Sequence, residues 1–584
     1  MTKISSPDAA ADAPAARFWQ AAKPFVLLDF QGETRLYRNP RSIVEASDPD
    51  GVDAAIARLE GVEAAGFIAY EAGHALERKL GDLRCTPAEG APPLVWFGLF
   101  DGYESLPPGA LPDPEGAWAG APQPLITRAR YEASVEAVRE HIFAGDIYQA
   151  NFTFAADVPT AGHPVAIYAA LKQRARAGWG GIVFTGRHWI LSLSPELFFV
   201  AAGGRVTARP MKGTAAADTD PALLRADPKQ QAENLMIVDL LRNDLARVAK
   251  PGSVAVPELF AIETYPTVHQ MTSTVVGELE EGIGPVDLLR ATFPCGSVTG
   301  APKIRAMEVI AALEEAPRAI YTGSIGRVAP DGEAAFNVAI RTLTLRAGES
   351  VARMGLGSGI VADSRPADEW QECLAKGEFV ETGRRFDLIE TMRFDPEEGL
   401  AHLELHLTRI KRSADALGFA FDRHGVRNEL QAATFTLRVG RKVRLRLSRS
   451  GAIAIEVRPL PADAEQPVDV ALVALPVDPD DFRLRHKTSD RAFYDDARLA
   501  AGCFETLFVD PDGFVTEGSF TNVFVRRDGR LATPPRTRGL MPGILRETLL
   551  EQGEAVEREL RAADLQGGFY VGNAVRGLIA ARLI

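Results

Sequence analysis

The stretch "GGIVFTGRHWILSLSPELFFVAAGGRVTARP", residues 180–210, indicates the fold class of this chain. Apolar residues alternate in it with small or polar ones, and glycines interrupt it at Gly186 and at Gly203–Gly204. Alternation with a period of two is typical of β-strands, and glycines between such runs favour tight turns. The stretch therefore predicts two or three antiparallel strands.

A lysine stands alone in the turn that follows these strands. In "ARPMKGTAAA", residues 208–217, Lys212 lies between Pro210 and Gly213, and the tract after it has no apolar period. Proline and glycine so close together predict a tight turn. From the turn alone, Lys212 is either an ordinary solvated lysine or an amine held in place for chemistry.

Strand and helix patterns continue on both sides of this stretch. The predicted strands are residues 24–30, 66–73 and 334–364, and the predicted helices are Tyr131 to near Gly145, 228–250 and 366–385. The helices are assigned from an apolar face that recurs with the helical period. Together these patterns predict an α/β (α+β) fold.

A second α/β region is predicted after a boundary near residues 383–388. "FDLIETMRF" begins a new strand there, followed by a helix at 402–419, a strand at 442–451 and a helix at 543–553. A length of 584 residues predicts two to four domains. We therefore expect a disordered N-terminus at 1–16, a first domain at 17–384 and a second at 387–584.

Composition excludes several classes of function. The net charge is −13, so a nucleic-acid or anionic-membrane surface is not expected as the main partner. The four cysteines form no CxxC pair, so neither a zinc site nor a disulfide framework is predicted. The N-terminus lacks a signal-peptide core and no apolar run is long enough to span a bilayer, so a cytoplasmic location is expected.

Carboxylates recur along two of the predicted helices. They are Glu233, Asp239 and Asp244 on the first helix, and Glu369 and Glu372, with Lys376 on the same stripe, on the second. Such a stripe is either a solvated acidic face or part of a Mg²⁺ site, because Mg²⁺ binds one or two carboxylates and completes its shell with substrate and water. The period alone does not choose between the two.

Several motifs appear in the order found in chorismate-utilising enzymes, and the resemblance covers about residues 20–380. They are "GDIYQANFT", "SPELFF", "RPMKGT", "AENLMIVDLLRNDLARV", "FPCGSVTGAPKIRAMEVI", "YTGSIG", "FNVAIRT" and "GSGIVADS" followed by "EWQECLAK". The resemblance implies a large two-sheet antiparallel α/β sandwich with outer helices. It also implies that Glu233 and Glu372 bind Mg²⁺. The substrate contacts that it implies are Lys376, Arg341, Tyr321, Thr299, Gly300, Gly357, Ser358, Gly359, Gly213 and Thr214.

Lys212 distinguishes members of this family from one another. Anthranilate synthases resemble "P-x-A-G-T" in this turn, whereas aminodeoxychorismate synthases carry "P-I-K-G-T", which is similar to Pro-Met-Lys-Gly-Thr here. The resemblance implies that the Lys212 amine attacks C2 of chorismate and that ammonia later adds at C4. It implies that Glu196 is the acid that protonates the departing C4 hydroxyl. Both roles require shifted pKa values, which burial can supply.

Two departures from the family concern regulation and one histidine. "LLDF" at residues 27–30 replaces the tryptophan-sensing "LLES" of anthranilate synthases, so tryptophan feedback is not expected. Gln270 replaces a family histidine, and His269 lies one position earlier. None of the cysteines lies in a nucleophile elbow of the glutamine amidotransferase type, so we expect a separate amidotransferase subunit to supply ammonia.

The second half is similar to fold-type IV pyridoxal phosphate (PLP) enzymes over about residues 387–584. The resemblance implies that Lys487 holds the cofactor, that Glu517 contacts its pyridine nitrogen and that Arg409, Gly543, Ile544 and Asn573 lie at its phosphate. Ala574 stands where relatives carry a serine. Free-standing lyases also have a few more elements before the "ET" strand, which here follows the first domain directly.

The two resemblances together predict a bifunctional enzyme that converts chorismate to 4-aminobenzoate, a folate precursor, through 4-amino-4-deoxychorismate. Analogy with fold-type IV enzymes adds the expectation of a homodimer through the PLP domain. One alternative is an anthranilate synthase component I fused to a branched-chain or D-amino-acid aminotransferase. Another is a ligand-binding regulator built from two inactive modules.

Overall fold

The computed structural model describes residues 18–20, 23–175, 177–216, 218–264, 268–382 and 385–584, without the side chains of Thr214, Ala216 and Val268. The segment 1–16 and the side chain of Thr214 therefore lie outside the described residues. The chain folds into two compact units. The first contains the described residues of Met1–Leu111, Ala121–Val158 and Leu171–Glu381, and the second those of Pro112–Gly120, Pro159–Ala170 and Thr382–Ile584.

Two antiparallel sheets form the frame of the first unit. The order of the first sheet is Gly300–Ala301, Gln149–Ala161, Val351–Ile360, Thr342–Arg346, His188–Ser192, Trp179–Phe184, Phe25–Phe30, Glu33–Arg38 and Glu104–Ser105. The order of the second is Met211–Ala216, Val268–Glu278, Arg205–Arg209, Leu197–Ala202, Ala334–Asn337, Ser324–Val328, Ala64–Ile68, Val95–Leu99 and Ser42–Ala46, with Ala255–Thr264 paired to Val268–Glu278. This confirms the predicted two-sheet antiparallel architecture.

Residues 180–210 contribute to four strands, where two or three were predicted. The strands Leu197–Ala202 and Arg205–Arg209 are joined by Gly203 and Gly204, whose φ values are +57° and +73°. Two successive positive φ angles are typical of the tight turn that matches strand twist, and glycine adopts them without strain. This turn brings the chain back towards Pro210 and Lys212.

The core of the first unit lies between the two sheets. Val26, Leu28 and Val183 from one sheet share a buried cluster with Phe67 and Trp96 from the other. Side chains that alternate along each strand thus bury their apolar face against the opposite sheet, which is the arrangement that stabilises sheet-on-sheet packing.

Helices cover the sheets of the first unit. They are Val52–Ala57, Ala72–Leu76, Arg128–Phe143, Pro221–Ala226, Pro228–Leu245, Pro285–Thr292, Lys303–Leu313 and Pro366–Gly377. A further helix, Pro164–Ala175, is divided between the units, with its residues up to Ala170 in the second. The long helix Pro228–Leu245 begins after Asp227, whose carboxylate accepts hydrogen bonds from the amides of Lys229 and Gln230. Several predicted bounds differ from the structure. One helix begins at Arg128, three residues before Tyr131, and the helices predicted to end at residues 250 and 385 end at Leu245 and Gly377. The strand predicted at 66–73 is Ala64–Ile68, and a helix begins at Ala72 because the chain turns after the strand.

The second unit contains a small and a large sheet. The small sheet has the order Gly399–Leu400, Leu388–Asp395, Arg441–Leu447 and Ile453–Pro459. The large sheet has the order Val515–Gly518, Glu505–Val509, Val468–Ala474, Gly577–Leu583, Phe569–Asn573, Asn522–Arg527, Arg530–Thr533 and Ala555–Glu557. Its helices are Leu403–Leu417, Arg423–Thr434, Ala492–Ala501 and Ile544–Glu551. Among the described residues of the whole chain, no helix has both the length and the apolar content needed to cross a membrane.

Candidate active sites

Two side-chain amides hold the backbone at Lys212 and at the glycine that follows it. The amide of Asn234 donates to the carbonyl of Lys212 at 3.2 Å and accepts the hydroxyl of Ser273 at 2.6 Å. The amide of Gln270 donates to the carbonyl of Gly213 at 3.0 Å. Asn234 is fully buried, so both of its bonds are made away from water. Asn234 was not predicted from the sequence, although it directly follows Glu233.

The charges around Lys212 oppose one another. Burial lowers the pKa of Lys212 below its usual range, and the positive charge of Lys376 lowers it further. The carboxyl groups of Glu196, Glu233 and Glu372 act in the opposite direction. Because its pKa is lowered, a larger fraction of the lysine is the neutral, nucleophilic amine at neutral pH.

Glu196 is the buried carboxyl group of this cluster. It lies just before the strand Leu197–Ala202, where its amide donates to the hydroxyl of Ser194 at 3.1 Å. Burial raises the pKa of Glu196, while a hydrogen bond from Ser297 and the charge of Lys212 lower it in part. Its Oε1 atom has no hydrogen-bond partner within the described part of the chain. A buried carboxyl group with a raised pKa and one unengaged oxygen is suited to donating a proton.

Glu233 and Glu372 are the two carboxylates that could hold a divalent cation. Each influences the pKa of Lys212, and burial raises the pKa of Glu233. Glu372 pairs with Lys376 at 2.7 Å, and Lys376 also donates to the carbonyl of Gly357 at 3.1 Å. Among the described residues there is no group of three or more His, Cys, Asp or Glu side chains arranged as a metal site. Two carboxylates fit Mg²⁺, which commonly takes its other ligands from substrate and water.

The other carboxylates on these helices have different partners. Asp239 pairs with Arg242 at 2.8 Å on the exposed face, and Asp244 pairs with Lys303. The carboxylate of Glu369 accepts a hydrogen bond from Ser364 at 2.7 Å. These contacts are structural, and they leave Glu233 and Glu372 as the candidate metal ligands.

Four of the predicted substrate contacts are engaged with neighbouring residues of the first unit. The Thr299 hydroxyl donates to its own turn, at the carbonyls of Cys295 and Gly296, and Gly300 pairs with Ala150 in the sheet. Ser358 hydrogen-bonds with the Tyr131 hydroxyl at 2.9 Å. The ring of Tyr321 packs so closely on Gly355 that a Cβ atom there would lie 2.1 Å from it.

Arg341 and Gly213 adopt unusual backbone conformations. Arg341 has φ +51°, and its guanidinium lies 5.6 Å from the centre of the Phe379 ring. Gly213 has φ +97°, and a Cβ atom at that position would lie 3.1 Å from both Gln230 and Met271. A side chain at position 213 would be strained and crowded, so glycine is required beside Lys212. Roles for these residues in substrate binding stay predictions.

In the second unit, the Lys487 backbone is bonded to the first strand of the small sheet. The amide of Ile389 donates to the Lys487 carbonyl at 2.8 Å, and Thr488 pairs with Leu388. Burial lowers the pKa of the Lys487 amine to about 7. Positive charges on Arg409, Arg491 and Arg444 lower it further, and the negative charge of Glu390 opposes them. The amine is therefore substantially neutral near pH 7.

Glu390 bridges the side chains of Arg409 and His406 in the interior of the second unit. It accepts hydrogen bonds from Arg409 at 2.8 and 2.5 Å and from the Nδ1 atom of His406 at 2.6 Å. Although burial raises its pKa, the charges of Arg409 and His406 lower it well below the usual range. Arg409 was predicted at the cofactor phosphate from the sequence, whereas its partner Glu390 was not predicted. The glutamate of "LIETMRF" gave no periodic signal that it is buried.

Glu517 is held by Tyr494 and by the chain before the last helix. The Tyr494 hydroxyl donates to Glu517 at 2.5 Å, and the amide of Met541 donates at 3.0 Å. Burial raises the pKa of Glu517 to about 7. A buried carboxyl group of this kind can share a proton with a pyridine nitrogen.

The remaining predicted cofactor contacts, Gly543 and Asn573, lie where the chain turns. Gly543 precedes the helix Ile544–Glu551, and a Cβ atom on it would lie 1.9 Å from the amide oxygen of Asn522. Asn573 donates to the carbonyl of Phe520 and accepts from the amides of Val575 and Arg576. Its side chain thus shapes the turn after Asn573.

The residues around Lys487 fit pyridoxal phosphate. Within the described part, the Nε atom of Arg444 and the Nε2 atom of His406 are buried without hydrogen-bond partners. Three arginines near a primary amine suit a phosphate monoester. Lys487 would then engage the aldehyde group of the cofactor, Glu517 its pyridine nitrogen and the arginines its phosphate.

Comparison with known proteins agrees with both units. Residues 7–382 match the model of a family described as chorismate binding enzyme, and residues 387–584 match that of class IV amino-transferases. Aminodeoxychorismate synthase component 1 of Escherichia coli K12 is 41% identical over 261 residues, which are 44% of this chain and 57% of that protein. Anthranilate synthase component 1 of Streptomyces coelicolor is 41% identical over 273 residues, which are 44% of this chain and 52% of that protein.

A solved structure supports the fold of the first unit. Anthranilate synthase component I from Streptococcus pneumoniae TIGR4 superposes with a TM-score of 0.53 and 24% identity over 65% of this chain and 100% of that one. The chain spans little more than half the length of the curated relatives that it matches. These relatives include both aminodeoxychorismate and anthranilate synthases, so overall similarity does not choose between the two activities.

Proposed function

This chain belongs to the chorismate-binding enzyme family and carries a class IV aminotransferase domain, and we propose that it makes 4-aminobenzoate from chorismate in two steps. The first step forms 4-amino-4-deoxychorismate from chorismate and ammonia. The second removes pyruvate from that product. The observation that carries the proposal is Lys212, an amine with a lowered pKa grouped with Glu196, Glu233 and Glu372.

In the first step, the neutral Lys212 amine forms a bond to C2 of chorismate. The ring double bonds shift and the C4–O bond breaks, and Glu196 protonates the oxygen so that water leaves. Ammonia then bonds to C4, the double bonds shift back and the C2–N bond breaks, which returns Lys212. Glu233 and Glu372 would hold Mg²⁺, whose positive charge would help to neutralise the ring carboxylate of chorismate.

The alternative product of the first unit is anthranilate. Anthranilate synthases resemble "P-x-A-G-T" where this chain has Lys212, so they lack the amine on which the C2 attack depends. The backbone clamp by Asn234 and Gln270 further supports a role for Lys212, because a solvated turn lysine needs no buried amides to hold it.

In the second step, PLP supplies an electron sink for the carbon that bears the amino group. The neutral Lys487 takes the proton from that carbon, and the neighbouring C3–O bond breaks. The released enolpyruvate accepts a proton and leaves as pyruvate, while the ring becomes aromatic. Glu517, with a pKa of about 7, shares its proton with the cofactor nitrogen. A lyase fits this order of domains better than an aminotransferase, because the first unit would supply its substrate.

We propose that the chain works in the cytoplasm with a separate glutamine amidotransferase that supplies ammonia. Curated relatives of the first unit are named as component 1 of their synthases, which supports a second component. A homodimer through the PLP domain remains part of this proposal by analogy alone.

The decisive experiment is a product assay with the full chain, chorismate, ammonium, Mg²⁺ and PLP. We expect 4-aminobenzoate and pyruvate in equal amounts. Lys487→Ala should stop the reaction at 4-amino-4-deoxychorismate, and Lys212→Ala should lower chorismate consumption about a hundredfold or more. Anthranilate as the main product would refute the first step. Transfer of the amino group to a keto acid without release of pyruvate would favour an aminotransferase.

A further inference from the structure

Part of the second unit is built from the span that matches the chorismate-binding family. Residues Pro112–Gly120 and Pro159–Ala170 lie inside that span, yet they fold with Thr382–Ile584. The side chain of Trp118 is only 1% exposed and lies in one core cluster with Phe386, Leu388 and Phe482. A large aromatic side chain in this position contributes substantially to the core of the second unit.

The two segments hold each other in place around Trp118. Trp118 and Ala119 pair with Ala161 and Thr160 in an antiparallel bridge, and the amide of Gly120 donates to the carbonyl of Pro159 at 2.9 Å. The guanidinium of Arg449 lies 5.0 Å from the centre of the indole ring. Cation–π contact, strand pairing and burial together fix the position of the indole.

The same cluster supports the stretch of chain that leads to Lys487 and the strand to which Lys487 is hydrogen-bonded. The rings of Phe386 and Phe482 lie 5.5 Å apart, and the amides of Arg485 and His486 both donate to the Phe482 carbonyl. On the other side, Ile389 donates to the Lys487 carbonyl. Lys487 thus follows one member of the Trp118 cluster, Phe482, by five residues, and its carbonyl is hydrogen-bonded to Ile389, which directly follows a second member, Leu388.

Polar contacts reinforce this support. Gly116 lies against Asp481, since a Cβ atom on the glycine would be 3.3 Å from the carboxylate. Arg483 is buried between Asp481, at 2.6 Å, and Glu115, at 3.5 Å. Segment Pro112–Gly120 therefore contacts the chain just ahead of Lys487 both through the core and at its polar edge.

We propose that Trp118 is a positioning residue for Lys487, so that a side chain from the chorismate-family span sets the geometry of the PLP site. Trp118 would act through Phe386 and Phe482 and would not touch cofactor or substrate. The proposal rests on the proposed function only in that the second unit binds PLP.

The test compares full-length Trp118→Ala, Trp118→Phe and Trp96→Ala. Trp96 is equally buried but lies in the core of the first unit, so it is the matched control. For Trp118→Ala we expect the dissociation constant for PLP to rise at least about tenfold, because the site loses its preorganisation. Chorismate consumption should stay within about twofold of wild type, since Trp118 folds with the second unit and the candidate chorismate site lies in the first. Trp118→Phe should restore PLP binding, and Trp96→Ala should show the reverse pattern.

A second readout does not depend on PLP. The pH dependence of labelling of the Lys487 amine by an amine-reactive reagent, followed by mass spectrometry of the apoprotein, measures its pKa. Trp118→Ala should raise that pKa towards the value of a solvated lysine. An unchanged PLP affinity and Lys487 pKa, or loss of chorismate consumption together with PLP binding, would overturn the proposal. If the wild type fails to bind PLP, the proposed second activity is refuted, while the labelling still tests the role of Trp118.

Discussion

At the scale of single residues, the chemistry of this chain depends on two lysines whose surroundings disfavour their charge. Burial and neighbouring cations lower the pKa of both Lys212 and Lys487. Each amine is also fixed through its own backbone, Lys212 by Asn234 and Lys487 by Ile389. Backbone clamps limit the motion of a reactive group without occupying the amine itself.

The clamp on Lys212 predicts the effect of Asn234→Ala. The variant loses the bond to the Lys212 carbonyl and leaves the Ser273 hydroxyl without its acceptor, although the amide of Phe260 still donates to that hydroxyl. We expect kcat for chorismate consumption to fall about ten- to hundredfold with little change in KM. The free energy of unfolding should fall by about 1–3 kcal/mol because buried polar groups lose their partners. Asp239→Asn, on the exposed face of the same helix, is the control, and an equal loss in that variant would contradict a specific role for Asn234.

The lowered pKa of Lys487 predicts how stability depends on pH. An unfolded lysine titrates near about 10.4, so between about 7 and about 10 the unfolded state binds more protons than the folded state. The stability of the second unit should therefore increase as pH rises through that window. Urea unfolding of the apoprotein at several pH values measures the slope. We expect Lys487→Met to reduce this slope and Lys411→Met, at an exposed position, to leave it unchanged. Equal slopes in Lys487→Met and wild type would argue against a lowered pKa of Lys487.

At the scale of elements, a buried tyrosine joins its own helix to the helix that carries Glu372 and to the strand Val351–Ile360. Tyr131, on the helix Arg128–Phe143, hydrogen-bonds with Ser358 at 2.9 Å and with Cys373 at 3.3 Å. Cys373 is adjacent to Glu372 on the helix Pro366–Gly377. The hydroxyl group therefore helps to set the position of that helix against the strand.

Tyr131→Phe tests this connection. Removing the hydroxyl deprives the buried side chains of Ser358 and Cys373 of a hydrogen-bond partner. The free energy of unfolding should therefore fall by about 1 kcal/mol. Because the helix carries Glu372 and Lys376, the Mg²⁺ concentration for half-maximal activity should rise. Chorismate consumption across a Mg²⁺ titration measures this effect. The exposed Tyr103→Phe serves as control; an unchanged Mg²⁺ requirement in Tyr131→Phe would show that the helix does not depend on the hydroxyl.

Sequence patterns predicted the elements better than their ends. The helix beginning at Arg128 was placed three residues late because its first turn is exposed and carries no apolar period. The strands His188–Ser192 and Leu197–Ala202 were not separated because alternation continues through Leu193 to the break at Pro195. Motifs identified Lys212 and Glu196, but partners such as Asn234, Glu390 and Trp118 are set by long-range packing, which local periodicity does not record.

At the scale of the whole molecule, the first strand of the first unit bears on regulation. In Phe25–Phe30, the ring of Phe30 packs on Trp179 at 5.2 Å, and Asp29 pairs with Lys172 at 2.5 Å. This strand carries "LLDF" where anthranilate synthases carry the tryptophan-sensing "LLES". The end of the strand is thus engaged with the chain's own side chains.

We therefore expect L-tryptophan not to inhibit chorismate consumption by the full chain. The measurement is the initial rate with increasing tryptophan at a chorismate concentration near KM. An anthranilate synthase known to be inhibited is the positive control for the assay. Competitive inhibition at tryptophan concentrations that inhibit the control would contradict the prediction.

The contribution of Trp118 to the second unit has a consequence for synthesis on the ribosome. Trp118 is translated roughly 360 residues before Phe482, its partner in the core cluster. At typical elongation rates this interval lasts about 20–70 s. During that time the indole and the strand pair around it have no completed core to enter, so nascent chains should expose an apolar segment that recruits chaperones until the C-terminal half emerges.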